Sequence, residues 1–216
     1  MSKWASIVAV IAGLAAVDAA AASEVAPASL QEVDGPAFMR VFGQTMAPSG
    51  FTRMCERQSE LCERGRPGES RVTATREVLK ELAEVNLIAN RTVEPASDEE
   101  IYGTSEYWTV PGRRGDCEDY ALLKQRMLTE RGWPKAALLI TVVRDENGEG
   151  HALLTARTSR GDYILDNRYD EVVLWSSRPY AYVKRQSYLD PRIWVSLVPS
   201  EDKSDGLIAS EAPNDP

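Results

Sequence analysis

The sequence predicts an α+β domain in which N-terminal helices pack on an antiparallel β-sheet. Two observations carry this. Apolar residues recur every three or four positions in two stretches before residue 132, the helical period. After it the chain breaks into short β-branched and apolar runs separated by turn residues, the pattern of sequential strands.

The chain has 216 residues, enough for one domain with a sizeable core. It opens with Lys3, the apolar run ASIVAVIAGLAAV, and Ala20 to Ala22 before Ser23. That layout reads as a secretory signal peptide over residues 1–22. The apolar run is short for a membrane span, and an uncleaved N-terminal anchor is the alternative. Residues 23–35 read as a flexible leader and 200–216, SEDKSDGLIASEAPNDP, as a disordered acidic tail. Residues 36–199 then form the domain, expected in the periplasm or secreted. Lys3 and Asp18 cancel, so the mature part keeps the formal charge of −8. An acidic chain argues against nucleic acid or an anionic membrane surface as partner.

Three cysteines allow one disulfide and leave one thiol. Cys55 and Cys62, in the polar stretch MCERQSELCERG, could close a small loop; a different pair or three reduced thiols remain open. From Thr73 to about Asn90 the series Val78, Leu82, Val85, Ala89 predicts an amphipathic helix, with Asn86 and Asn90 one turn apart on it. Residues 91–115 read as a long connector without periodicity, a length often associated with function. Asp116 suits an N-cap, Tyr120, Leu123 and Met127 form a stripe, and Gly132 and Pro134 end it, which predicts a helix to about Arg131. The runs AALLITVVRD, HALLTAR and YILDN, separated by ENGEG and TSRGD, predict three strands, with VVLW and RIWVSLV adding two more.

The stretch RRGDCEDYALL raises a chemical problem. Cys117 would sit in the first turn of a helix, where backbone N–H groups favour an anion. Yet Asp116, Glu118 and Asp119 surround it, and negative neighbours disfavour a thiolate. A base is also needed, and His151 is the only histidine in the chain. If HALLTAR and YILDN form a hairpin, short loops give opposed residue numbers that total roughly 317–319; His151 and Asp166 total 317. Asp166 could then hold one imidazole nitrogen and leave the other for the sulfur. Asp162 and Asp170 are rivals, one in the turn and the other past the strand. Nucleophile, base and orienter together suit attack on an amide carbonyl through a thioester. The Cys117 N–H is one oxyanion donor, and Trp108 or Asn86 are candidates for a second.

The segment VNLIANRTVEPASDEEIYGTSEYWTVPGRRGDCEDYALLK, with GHALLTA and DYILDN, resembles the bacterial transglutaminase-like cysteine proteinases, from about Phe51 to Val198. The resemblance implies a transglutaminase/papain-like core and a triad of Cys117, His151 and Asp166. It also implies an exported, calcium-dependent protease that clips a large surface adhesin and so releases biofilm cells. Its partner would be a membrane-bound receptor for cyclic di-GMP. By motif match Asp116 and Glu118, with Asp119, would be tied to Ca²⁺. A bound cation there would reverse the local field that opposes the thiolate. An amide transferase, a non-catalytic binding module of the same fold and a peptidoglycan amidase are the other readings.

Overall fold

The computed structural model describes residues 36–65 and 69–199. The signal peptide, the leader and the acidic tail expected from the sequence lie outside the described residues.

The chain enters through β1 (Gln44–Thr45) and α1 (Ser49–Arg57). Helix α1 runs into a single 3₁₀ turn over Ser59–Cys62, and Cys55 and Cys62 are joined by a disulfide. So short a loop stabilises by about 2–3 kcal/mol in the chain-entropy account. The polar stretch begins inside α1, whose Phe51 and Met54 anchor one face of the helix in the core.

Helix α2 (Arg76–Thr92) starts where the Thr75 hydroxyl accepts the Val78 N–H, and it buries Leu79, Leu82, Val85, Asn86 and Ala89. The expected connector over 91–115 holds three short elements, β2 (Glu94–Pro95), α3 (Asp98–Tyr102) and β3 (Arg114–Gly115). Ser97 and Glu100 form a reciprocal capping box at the start of α3, and β2 pairs with β3 in parallel. Elements this short have no periodicity to read, so only the Ser97-to-Glu100 spacing signalled them.

Helix α4 (Cys117–Glu130) is buried on nearly every side from Glu118 to Gln125. It stops at Gly132, whose φ of 96° is the left-handed conformation that glycine adopts without strain. Strands β4 (Leu138–Arg144), β5 (Gly150–Thr158) and β6 (Gly161–Leu165) follow, then β7 (Val173–Leu174), β8 (Ala181–Gln186) and β9 (Trp194–Ser196). They form one antiparallel sheet in the order β1-β9-β8-β4-β5-β6-β7. Sequence reading missed β8 because AYVKRQ is polar; its Arg185 and Gln186 are nonetheless buried.

The sheet is covered on both faces. Leu138, Ile140, Leu154, Ala156 and Leu165 pack against α1, α2 and α4, with Phe51, Trp108 and Trp194 meeting edge to face among them. On the other face Val143, Leu153 and Ile164 pack with Met39 from the incoming chain. That arrangement sets the start of α4 against the start of β5.

Candidate active site

Cys117 is the first residue of α4, and Asp116 occupies its N-cap position without making a side-chain cap hydrogen bond. The sulfur accepts the Ala152 N–H at 3.3 Å and donates its own hydrogen to Glu118 Oε2 at 3.1 Å. Burial, then the charge of Glu118, push the Cys117 thiol well above its ordinary pKa. The helix N-terminus is thus outweighed, and the thiol rests protonated.

His151 is the second residue of β5 and is buried. Its Nε2 lies 2.9 Å from Asp166 Oδ1. The register differs from the simplest expectation. Thr158 pairs with Gly161 and Leu154 with Leu165, a two-residue turn. Extended by one position, that ladder puts Asp166 beside Leu153, two positions from His151 on the same face. The two side chains meet as diagonal neighbours, which an imidazole is long enough to bridge.

Asp166 also accepts the Arg168 N–H at 3.0 Å and the Tyr180 hydroxyl at 2.7 Å. Burial alone would raise its pKa, but the bonds from His151, Arg168 and Tyr180 outweigh that and hold it at about 2. A carboxylate depressed in the folded state contributes stability that is present above its ordinary pKa of about 4. That stability is lost as pH falls from there through about 2, and amounts to about 2 kcal/mol. Urea unfolding of the wild type should therefore weaken by about 2 kcal/mol more than that of Asp166→Asn between pH 5 and pH 2. Equal acid slopes would show that Asp166 is not held ionised.

The rival aspartates are engaged elsewhere. Asp162 binds Arg71 and the Met39 N–H, while Asp170 Oδ1 accepts from Asn90. Asn86 is not placed as an oxyanion donor, since its amide donates to the carbonyls of Tyr169 and Asp170. Asn90 reaches the carbonyls of Asp166 and Tyr169. Together these α2 side chains pin the loop that carries Asp166. Trp108 does border the cleft beside Cys117, but its indole N–H is given to Glu106 at 2.9 Å and its ring is packed in the core.

Carboxylates gather beside the sulfur, though not the three that the sequence suggests. Asp98, Asp116 and Glu118 each bring one carboxylate oxygen into a group whose atoms lie within 4.8 Å of one another. Asp119 lies outside that group. Its Oδ1 accepts the Thr109 N–H at 2.9 Å, and a Cβ on Gly115 would lie 2.8 Å from its Oδ2, so it is wedged against the preceding turn. Position 119 is one residue further round the helix than 118 and so faces another way. Asp98 was invisible to sequence reading because it arrives from α3, and only the fold brings it to α4. Its Oδ2 accepts the Tyr107 N–H, and its Oδ1 is buried with no hydrogen-bond partner among the described residues, as is Asp116 Oδ1. Burial first, then their neighbours' charges, raise the pKa values of Asp116 and Glu118. Such oxygens suit a hard divalent cation.

Two clefts meet at the sulfur. One, of about 330 Å³, is bordered by Pro48, Trp108, Cys117, His151 and Lys184. The other, of about 380 Å³, is bordered by Pro95, Asp116, Cys117, His151 and Asn167. Cys117 and His151 are common to both.

Comparison with known proteins identifies the family. The family described as bacterial transglutaminase-like cysteine proteinase matches residues 41–202. Among solved structures, calcium-bound LapG of Legionella pneumophila is 24% identical, with 69% of this chain and 80% of that chain covered and a TM-score of 0.49. A second structure of Legionella pneumophila LapG is 22% identical, with coverages of 72% and 82% and a TM-score of 0.48. A search of the curated proteins returns no match. With the family match extending over most of the described domain, this chain belongs to the bacterial transglutaminase-like cysteine proteinases and is a cysteine peptidase.

Proposed function

We propose that the chain is an exported endopeptidase that opens a peptide bond through a thioester on Cys117, with His151 as base and Asp166 as the group that orients it. One observation carries the reading most: Cys117 and His151 stand where two clefts join. A groove continuing on both sides of the nucleophile suits a polypeptide passing through it better than a chain end or a small molecule.

The chemistry follows from the side chains. Asp166 occupies Nε2 of His151, which leaves Nδ1 to take the thiol proton. The sulfur then attacks the scissile carbonyl carbon, and the oxyanion meets the Cys117 N–H at the unpaired start of α4. Collapse breaks the C–N bond, and the imidazolium returns its proton to the departing amine. Water, deprotonated by the same imidazole, cleaves the thioester and releases the acid.

Asp98, Asp116 and Glu118 would hold Ca²⁺. The buried oxygens of Asp98 and Asp116 that lack a partner among the described residues fit the group, and carboxylate oxygen is its preferred ligand. Bound there, the ion would supply positive charge beside a sulfur that burial and the carboxylates otherwise keep protonated. With Glu118 engaged in holding the ion, the thiol hydrogen that its Oε2 accepts would become available to His151.

By family resemblance the substrate is a large cell-surface adhesin, and a membrane receptor for cyclic di-GMP is the partner that would hold the enzyme back. The deciding test mixes mature protein, calcium, an exported protein substrate and a labelled primary amine. New internal N-termini without amine incorporation are expected. Amine incorporation at glutamine without chain cleavage would replace hydrolysis with transfer. Release of single terminal residues would remove the endopeptidase assignment.

A further inference from the structure

The sheet face turned away from α4 carries a group of charges that the peptidase chemistry does not use. Arg157 of β5 and Arg185 of β8 are only 7% and 4% exposed. In each, Nε and Nη1 are buried with no hydrogen-bond partner among the described residues. Arg71 stands with them, and the three guanidinium groups share one carboxylate, Asp162. Each oxygen of that carboxylate already accepts a hydrogen bond, Oδ1 from Arg71 at 2.8 Å and Oδ2 from the Met39 N–H at 2.8 Å, and its single negative charge offsets only one of the three guanidinium charges. The Tyr188 ring lies 4.5 Å from the Arg157 guanidinium, and Phe38 lies 4.5 Å from that of Arg71. Aromatic faces soften the field of a cation without neutralising it.

Guanidinium does not give up its proton in proteins, so this cluster cannot relieve itself by titrating. Desolvation and the neighbouring arginines bring Arg157 down only to about 10. Water could satisfy the idle N–H groups but would leave two positive charges uncompensated inside the protein, which is expensive. An anion answers both needs. Its charge should be close to two, and planar forks carrying several N–H groups match tetrahedral or planar oxygen clusters. Tyr188 also borders a cavity of about 390 Å³ whose other walls include Arg64, Ser70, Lys135 and Gln186. An entry route from solvent therefore adjoins the cluster.

The geometry points to a binding site for a divalent oxyanion of the phosphate or sulfate type, formed by Arg71, Arg157 and Arg185 with Tyr188 beside them. This site is separate from Cys117 and does not depend on the proposed peptidase mechanism. Occupied, it ties β5, β8 and the segment before α2 together through their side chains.

The test uses the mature full-length chain and inorganic phosphate, with ionic strength held constant by sodium chloride. Titration calorimetry should show saturable binding with one site per chain. Thermal unfolding should shift upward by about 3–10 °C at phosphate between 10 and 100 times Kd. The double variant Arg157→Met with Arg185→Met should lose the heat and the shift. In phosphate-free buffer it should unfold no earlier than the wild type, since the removed charges were unpaired. Absence of saturable binding to the wild type, or equal shifts in wild type and double variant, would overturn the site. The calorimetric result stands even if the double variant does not fold.

Discussion

Replacing Cys117 with alanine should reduce peptide-bond cleavage by at least about 10⁴-fold while leaving the fold in place. Loss of a nucleophile in a triad enzyme removes the covalent route altogether, and what survives is the small contribution of binding and oxyanion stabilisation. The fold should tolerate the change because the helix start is set by backbone geometry at Asp116 and by burial of Glu118, Asp119 and Tyr120, not by the sulfur. The measurement is twofold. Purified Cys117→Ala should unfold within a few degrees of wild type yet show no turnover. The extracellular proteins of wild-type cells should include a cleaved fragment that is missing from cells carrying the variant, which would also identify the substrate. Cleavage at an undiminished rate would remove Cys117 from the reaction.

Chelation is expected to have the second-largest effect. A calcium-selective chelator should lower cleavage by about 10²-fold or more, and Ca²⁺ should restore it where Mg²⁺ does not, because the smaller ion demands a tighter octahedron and gives up water reluctantly. The sharper form of this prediction concerns Asp98. Asp98→Ala should behave in calcium as the wild type behaves in chelator, and it should also lose the calcium-induced rise in unfolding temperature. Asp119→Asn should instead respond to calcium like the wild type, since that carboxylate is tied to the Thr109 N–H and lies outside the acidic group. Activity that ignores the chelator, or a calcium response that survives Asp98→Ala, would reject the site as drawn. The thermal readout separates metal binding from catalysis.

How far the molecule was legible in its sequence depends on the range of the forces involved. Helices α2 and α4 and the β5–β6 hairpin announce themselves through local periodicity and turn residues, so Cys117, His151 and Asp166 could be singled out by position along the chain. Even the misjudged register left His151 and Asp166 within reach, because a slip of two residues keeps a side chain on the same face. The acidic group was harder. Motif adjacency suggested Asp119, but neighbours in sequence diverge around a helix, and the third carboxylate comes from a segment nearly twenty residues earlier whose path no pattern revealed. The same holds for Tyr180, whose hydroxyl braces Asp166 from beyond β7. Strand β8 escaped notice because its buried positions are Arg185 and Gln186, the reverse of what an apolar alternation looks for. Lys124 is a further surprise: it is fully buried on α4 with no hydrogen-bond partner for its Nζ among the described residues, and burial depresses its pKa to about 7.

The two asparagines of α2 have a consequence for timing. Because Asn86 and Asn90 grip the backbone at 166, 169 and 170, the carboxylate member takes its position from a helix that itself packs on α4. Sulfur and carboxylate are thereby referred to a common chassis. Breathing at the hairpin edge would move the imidazole between two fixed walls and would not let the three drift apart independently.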